Sequence, residues 1–389
     1  MTRPGLLLYC QHSVGLGHLA RSLALAGALA ERFAVVLLNG GRLPEGTRVP
    51  AGVELVNLPP LGHDAGYALV SHDPAASVDD ALERRRAMIL GALERSAPRV
   101  LLIELWPFGR KKFAVELEPL VRAARQCAEP PVVLCSLRDI LVNQRRDQAR
   151  HDQRAAERVN AWFDGVLVHS DPAFARLEES FRPATPLAVP VHHTGFVAPP
   201  APAVPTRRAR RVLVSAGGGM VGAPLGWAAA EAHVEIAART GLSTTVVAGP
   251  FLPEEAWGRL RARAAGARDL EVVRSVDDLC AEIAASAVSV SQCGYNTAMD
   301  LLRAGRPSVV VPFSEGKEDE QGRRARRLAQ LGAVSVLDPR SLTPAALTEA
   351  VARAAGDRPR SHGLRLDGAE RTVEIVARMA GLVAAGAAA

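Results

Sequence analysis

Ser291-Gln-Cys-Gly-Tyr-Asn-Thr-Ala-Met-Asp300 is followed, after Gly305, by Ser308-Val-Val-Val-Pro-Phe313 and then by Glu318-Asp-Glu-Gln321. An apolar run ends in a glycine turn, a short helical stretch carries one carboxylate, a second apolar run follows, and a polar loop opens a basic helix. This order predicts strand, turn, helix, strand and helix, the repeating unit of a parallel α/β sheet. It also suits a nucleotide diphosphate. A helix N-terminus offers unpaired N–H groups to phosphate, and a carboxylate about one turn in, Asp300, reaches ribose hydroxyls. The same residues have a structural use, because Thr297-x-x-Asp300 fits a capping box in which Asp300 satisfies helix donors.

Outward from this stretch, apolar runs alternate with helix-period segments through most of the chain. One set comprises Leu6–Cys10, Phe33–Leu38, Val53–Val56, Val100–Ile103, Val132–Cys135 and Val166–His169. A second comprises Val212–Ser215, Thr244–Ala248, Leu270–Val273, Ala287–Val290, Val309–Pro312 and Val334–Leu337. Between them lies Ala198-Pro-Pro-Ala-Pro-Ala-Val-Pro-Thr-Arg207, whose prolines withhold backbone donors and favour an extended linker. The expected organisation is a first Rossmann-like domain over 1–197, a linker over 198–207, a second over 208–367, and a C-terminal helix and tail over 368–389. Ligands of such sheets bind beyond the carboxyl ends of the strands. Functional residues are therefore expected in the loops after strands, around a cleft between facing domains. The amphipathic segment from Glu370 is expected to pack, across the first domain if it crosses back.

Composition narrows the class. A chain of 389 residues, 48% hydrophobic and 23% charged, can build two globular domains. No apolar run approaches a membrane span, and the apolar part of Met-Thr-Arg-Pro-Gly-Leu-Leu-Leu-Tyr9 is short for a secretory signal, so a cytoplasmic protein is expected. Five scattered cysteines with no Cys-x-x-Cys suggest reduced thiols, neither a disulfide framework nor a zinc site. His192-His193 lack a convergent acidic or cysteine partner, and no metal is read. Net charge +6 suits an anionic partner, but an aromatic content of 4% is poor for base stacking, and nucleic acid is not expected.

Several motifs have both a chemical and a structural use. Cys10-Gln-His-Ser-Val-Gly-Leu-Gly-His18 leads into a helix. Gly15 and Gly17 let backbone approach a ligand, and His18 at the helix N-terminus is a candidate general base whose pKa the dipole lowers. The alternative is a tight turn with a capping histidine. It is not a dinucleotide fingerprint, since the third glycine and an acidic end to the second strand are absent. Val212-Leu-Val-Ser-Ala-Gly-Gly-Gly-Met220 repeats the device, and Gly217, Gly218 and Gly219 suit a diphosphate or sugar against backbone N–H groups, or else form a flexible connection. Glu104, Arg138 and Asp139 follow strand-like runs. Either acid can orient His18 or deprotonate an acceptor, and the alternative is surface carboxylates paired with Arg110 or Arg138. Arg146, Arg150, Arg154 and Arg158 recur every four residues, and the interleaved Asp147, Asp152 and Glu157 favour a solvated, ion-paired face over an anionic membrane or acceptor contact.

Together these residues resemble the GT-B glycosyltransferases, in particular the group containing MurG. Glu104-Leu-Trp-Pro-Phe-Gly-Arg110 and Ser136-Leu-Arg-Asp139 are most similar to one branch of bacterial glycosyltransferases close to that group. Gly15-Leu-Gly-His18, with His12, looks like the group's N-terminal glycine loop, and Ser215-Ala-Gly-Gly-Gly219 like its second loop. Ser275 and Val276-Asp-Asp-Leu279 resemble the segment whose backbone meets uracil. Gln292 and Gly294-Tyr295-Asn296-Thr297 with Asp300 resemble the phosphate and ribose segment, where glutamate is usual. Glu320 and Gln321 fall where side chains touch the donor sugar. The resemblance implies a doubly wound GT-B fold and inverting transfer from a UDP-hexose or UDP-N-acetylhexosamine, a substrate rather than a cofactor. The acceptor is a small molecule or lipid-linked, the latter implying peripheral contact with the inner membrane face. The missing Glu-x7-Glu and Asp-x-Asp favour metal-free inversion. Leu58–Tyr67 and the region to Ser77 are expected to form a long acceptor-side loop. Two other readings share this architecture: a UDP-sugar 2-epimerase or hydrolase, with Glu104 and Asp139 as acid and base, and a non-catalytic nucleotide-sugar-binding accessory protein.

Overall fold

A computed structural model describes residues 3–12, 17–64, 68–142, 145–203, 209–313, 319–358 and 361–382. They fall into two compact units, Met1–Val197 with Arg365–Ala389, and Ala198–Leu364.

The first unit runs β1 (Gly5–Cys10), α1 (Gly17–Leu29), β2 (Ala34–Asn39), β3 (Val53–Asn57), β4 (Leu61–His63), β5 (Leu69–Ser71), α2 (Val78–Ser96), β6 (Val100–Glu104), α3 (Ala114–Gln126), β7 (Val132–Arg138), α4 (Gln148–Trp162), β8 (Gly165–His169) and β9 (Val191–His193). Seven strands form one sheet in the order β3-β2-β1-β6-β7-β8-β9, every pair parallel. Both faces are covered, which is why the strands read as unbroken Val/Leu/Ile runs. Along β1 the side chains alternate between two cores, Leu7 and Tyr9 toward one and Leu6, Leu8 and Cys10 toward the other. Within the long loop expected after Leu58, β4 and β5 pair as an antiparallel hairpin, and Ser77 with Asp80 makes the capping box that starts α2. Three-residue strands are too short for periodicity to reveal.

Arg85 on α2 is fully buried. It donates to both oxygens of Glu116 and to Gly40 O, Pro59 O and Gln11 Oε1, tying together the segments that follow β1, β2 and β3.

The second unit runs β10 (Arg211–Ser215), α5 (Ala223–Thr240), β11 (Ser243–Val247), α6 (Glu254–Ala264), β12 (Leu270–Val273), α7 (Leu279–Ala285), β13 (Val288–Ser291), α8 (Tyr295–Ala304), β14 (Ser308–Val310), α9 (Glu320–Gln330), β15 (Ser335–Val336) and α10 (Pro344–Gly356). Its six parallel strands lie in the order β12-β11-β10-β13-β14-β15.

The chain then returns to the first unit. Phe196 N donates to Arg365 O, Val197 bridges Asp367, and α11 (Gly368–Met379) lays Val373, Val376 and Ala377 into the core that α1 covers. Residues 365–367, grouped with the second domain by sequence, thus belong to the first unit. Among the described residues no helix is long and apolar enough to cross a membrane.

Candidate active site

In each sheet the strand order reverses once, between β1 and β6 in the first unit and between β10 and β13 in the second. Connections leave such neighbours toward opposite faces, so a crevice opens beyond their carboxyl ends. The sequence-predicted residues concentrate at these two points.

In the first unit, β1 leads to His18, the second residue of α1, and β6 ends on Glu104. His18 Nδ1 donates to Glu104 Oε1 at 2.6 Å, and Arg21 Nη2, one turn further along α1, donates to the same oxygen at 2.5 Å. The His18 side chain is 16% exposed and that of Glu104 2%. The surface reading of Glu104 is therefore overturned: it is the last residue of a buried strand, held by a histidine and a buried arginine. Burial pulls the His18 pKa well below its ordinary value; Arg110 and Arg21 push the same way, against Glu104. Burial thus keeps the ring neutral. Burial would raise the Glu104 pKa, but His18, Arg21 and Arg110 outweigh it and hold the carboxyl well below the usual range. With Nδ1 committed to a carboxylate, the remaining acceptor of the neutral ring is Nε2.

The Glu104–Arg110 turn is set by its aromatic residues. Trp106 is 1% exposed and stacks on Trp162 with ring centroids 5.8 Å apart, while Phe108 meets Phe181 edge-on at 4.7 Å. Leu105 and Arg110 are held at positive φ, 65° and 56°, a conformation that persists only where packing enforces it.

Other expected residues of this unit have different surroundings. His12 is buried, bonded through Nε2 to Asn39 Oδ1 at 3.1 Å and packed against Gly41, an arrangement that braces the loop after β2. Asp139 is buried, and its Oδ1 accepts from Ile140 N; among the described residues the partners of His18 are Glu104 and Arg21 and do not include it. Arg138 ends β7 half-buried and Gly17 starts α1 exposed. Gly15 lies outside the described residues.

In the second unit, α8 begins at Tyr295 with Gly294 as its N-cap, a residue with no side chain to offer the first turn. The capping-box reading is overturned, since Thr297 and Asp300 lie inside the helix, and Tyr295 and Asn296 open its first turn with backbone N–H groups directed back along the axis. The loop after β10 comes close: a Cβ on Gly217 would stand 3.9 Å from Thr297 Oγ1, and Gln292 Nε2 donates to Val221 O at 3.2 Å. The three glycines are not equivalent. A Cβ on Gly219 would stand 2.6 Å from Ala248 O and one on Gly249 2.5 Å from Gly219 N, so these two serve the packing of one loop on another. Gly217, at φ 60°, remains toward α8, while the carbonyl of Gly218 accepts from Phe251 N within the packed loops.

Asp300 is half-buried, and its carboxyl has no hydrogen-bond partner among the described residues. Burial, reinforced by Asp278 at the start of α7, pushes its pKa up to about 7. Ser275 is exposed and Val276 half-buried on the segment leading to α7. Gln321, expected at the donor sugar, also has a structural use: Oε1 accepts from Cys293 N at 3.0 Å and from Phe313 N at 3.1 Å, clasping the segments after β13 and β14. Its neighbour Glu320 is buried at the start of α9. Arg324, fully buried, donates to Cys293 O at 2.8 Å and completes the clasp. Sequence reading missed Arg324 and Arg21, although Arg21 lies three residues from His18, the spacing that places two side chains on one helix face.

Residues 256–364 match the glycosyltransferase family 28 C-terminal domain. A curated protein of Rhodopseudomonas palustris, named UDP-N-acetylglucosamine--N-acetylmuramyl-(pentapeptide) pyrophosphoryl-undecaprenol N-acetylglucosamine transferase, is 32% identical over 114 residues, 27% of this chain and 30% of that protein. The protein of the same name from Pseudomonas fluorescens is 31% identical over 196 residues, 49% of this chain and 52% of that one. The matched segments thus span about a third to a half of these relatives' length. The crystal structure of Acinetobacter baumannii MurG superposes with a TM-score of 0.54 at 15% identity, over 96% of this chain and 100% of that one. The second unit thus carries a match to the glycosyltransferase family 28 C-terminal domain, and the two parallel-sheet units share the GT-B fold of the MurG structure.

Proposed function

We propose that the chain transfers a sugar from a UDP-linked donor to an acceptor hydroxyl or amine, with inversion at the anomeric carbon and without a resident metal. The observation that carries this reading is the His18–Glu104 pair, which commits Nδ1 and keeps a neutral Nε2 as base. As the acceptor atom attacks the anomeric carbon, Nε2 takes its proton and Glu104 stabilises the imidazolium that forms. The bond from that carbon to the diphosphate breaks, and the diphosphate leaves with the electron pair. N–H groups at the start of α8 and the backbone at Gly217 and Gly218 stabilise its charge, the preorganised electrostatics that contribute most to such reactions. Asp300 accepts from ribose hydroxyls. A single displacement assisted by one base inverts the anomeric centre.

The names of the relatives support a UDP-N-acetylhexosamine donor and a lipid-linked acceptor, which would bring the chain to the inner face of a membrane. Calorimetric titration with UDP, GDP, ADP and TDP tests the donor half. UDP is expected to bind most tightly and to weaken by about tenfold in Asp300→Ala, the loss of one or two hydrogen bonds to a charged group. Preference for another nucleotide would overturn the UDP assignment, and no nucleotide binding at all would overturn the donor site.

A further inference from the structure

Beside the Glu104–Arg110 turn lies a cavity of about 410 Å³ that the proposed reaction does not use, within the roughly 300–1,000 Å³ range of small-ligand sites. Its floor is apolar, with Trp106, Ala114 and Ala155, and its walls are cationic. The turn supplies Arg110 and Lys111, and α4 with its approach supplies Arg145, Arg150, Arg154 and Arg158. The lone carboxylate of the lining, Asp147, caps α4 by accepting from Arg150 N.

The face expected from sequence to be solvated and ion-paired is exposed at Arg146, Arg150 and Arg154, but among the described residues the interleaved acids do not pair with it. Asp152 is buried and accepts from Gln148 Nε2 and Arg182 N, while Glu157 accepts from Gln153 Nε2. Arg158 has Glu118 as its partner, at 2.9 Å. Lys111, Arg150 and Arg154 pair with no carboxylate among the described residues, and Arg110, whose charge helps keep Glu104 ionised, has a buried Nε without a hydrogen-bond partner. Arg145 and Arg150 crowd the positive end of the α4 dipole, where cations are unfavourable. Stability does not account for this arrangement. The cavity is nonetheless built: His151 Nε2 donates to Phe108 O at 2.9 Å, tying α4 to the turn, and the stacked Trp106 and Trp162 fix its floor.

We propose that this cavity is a binding site for a phosphoryl group, separate from the donor-diphosphate site of the second unit and independent of the donor assignment. A phosphoryl dianion or diphosphate offers several acceptor oxygens and more than one charge to a row of guanidinium forks, where a single carboxylate would neutralise one. The group belongs either to a soluble phosphorylated molecule or to a phospholipid headgroup.

Hydrogen–deuterium exchange of the full chain with inorganic pyrophosphate tests the site, because the readout is local. Peptides covering 106–111 and α4 are expected to gain protection, with apparent affinity about tenfold lower for each arginine removed in Arg150→Ala/Arg154→Ala, and intermediate in Arg150→Lys/Arg154→Lys. Both arginines are exposed, so the variants are expected to keep the wild-type melting temperature. Protection confined to the second unit around 292–300, no protection, or protection unchanged in the double alanine variant would each overturn the proposal. Co-sedimentation with phosphatidylglycerol vesicles separates the sources. Vesicle binding displaced by pyrophosphate and lost in the alanine variant identifies a headgroup, and protection by pyrophosphate without vesicle binding identifies a soluble ligand.

Discussion

At the scale of single residues, two titratable side chains are displaced in opposite senses. His18 is held neutral, so its folded-state pKa lies below the unfolded one, and the stability it lends is present above about pH 6.5 and lost as pH falls. In the proposed base role it would accordingly work below that pH. The pH–rate profile is expected to place its acid limb well under 6.5, and a limb at or above 6.5 would remove His18 from the base role. His18→Ala is expected to lower turnover by about 10²–10⁴-fold while nucleotide affinity stays within a factor of about two. Asp300 behaves in reverse. Its pKa is raised to about 7, so its contribution to stability is present below the ordinary carboxylate range and lost as pH rises through that value. Asp300→Asn is expected to raise the melting temperature of the free protein more at pH 8 than at pH 5, and a shift equal at both pH values would show that Asp300 is not a strained acid.

At the scale of elements, the loops at the switch points are held by backbone contacts that tolerate little change. Gly219→Ala forces a Cβ to 2.6 Å from Ala248 O at φ 90°, and is expected to cost about 1–3 kcal/mol in denaturant unfolding and to weaken nucleotide binding as the loop shifts. A substitution without effect on either would show that the two loops are not packed together. The central strands are legible in the sequence because a sheet covered on both faces needs continuous apolar runs, and the site loops because glycines follow strand ends. What escapes depends on contacts between distant residues. Asp152 looks like a partner for the α4 arginines, but Arg182 N, 30 positions away, accounts for it. Thr297 and Asp300 fit a capping box because the true start of α8, set by Gly294, differs from the motif's own phase. The backbone clasp that Gln321 Oε1 makes between the segments after β13 and β14 has no signature in the local sequence.

At the scale of the whole molecule, the chain leaves its first unit at Val197 and re-enters it at Arg365. The returning α11 buries Val373 and Val376, each worth about 1.5–3 kcal/mol. Removing residues 365–389 is therefore expected to lower the stability of the first unit by several kcal/mol, with α1 losing exchange protection. Unchanged protection would show that the helix is an appendage. Sugar transfer from a nucleotide with His18 as base is tested most directly by release of UDP from UDP-N-acetylglucosamine and UDP-glucose. The release is measured with lipid and small-molecule acceptor fractions, for the wild-type chain and for a His18→Ala chain shown to bind UDP equally. Acceptor-dependent release by the wild type, at least about 100-fold slower in the variant, is the predicted result. Bound nucleotide sugar that stays intact in every fraction, or release that is the same in both chains, would contradict it.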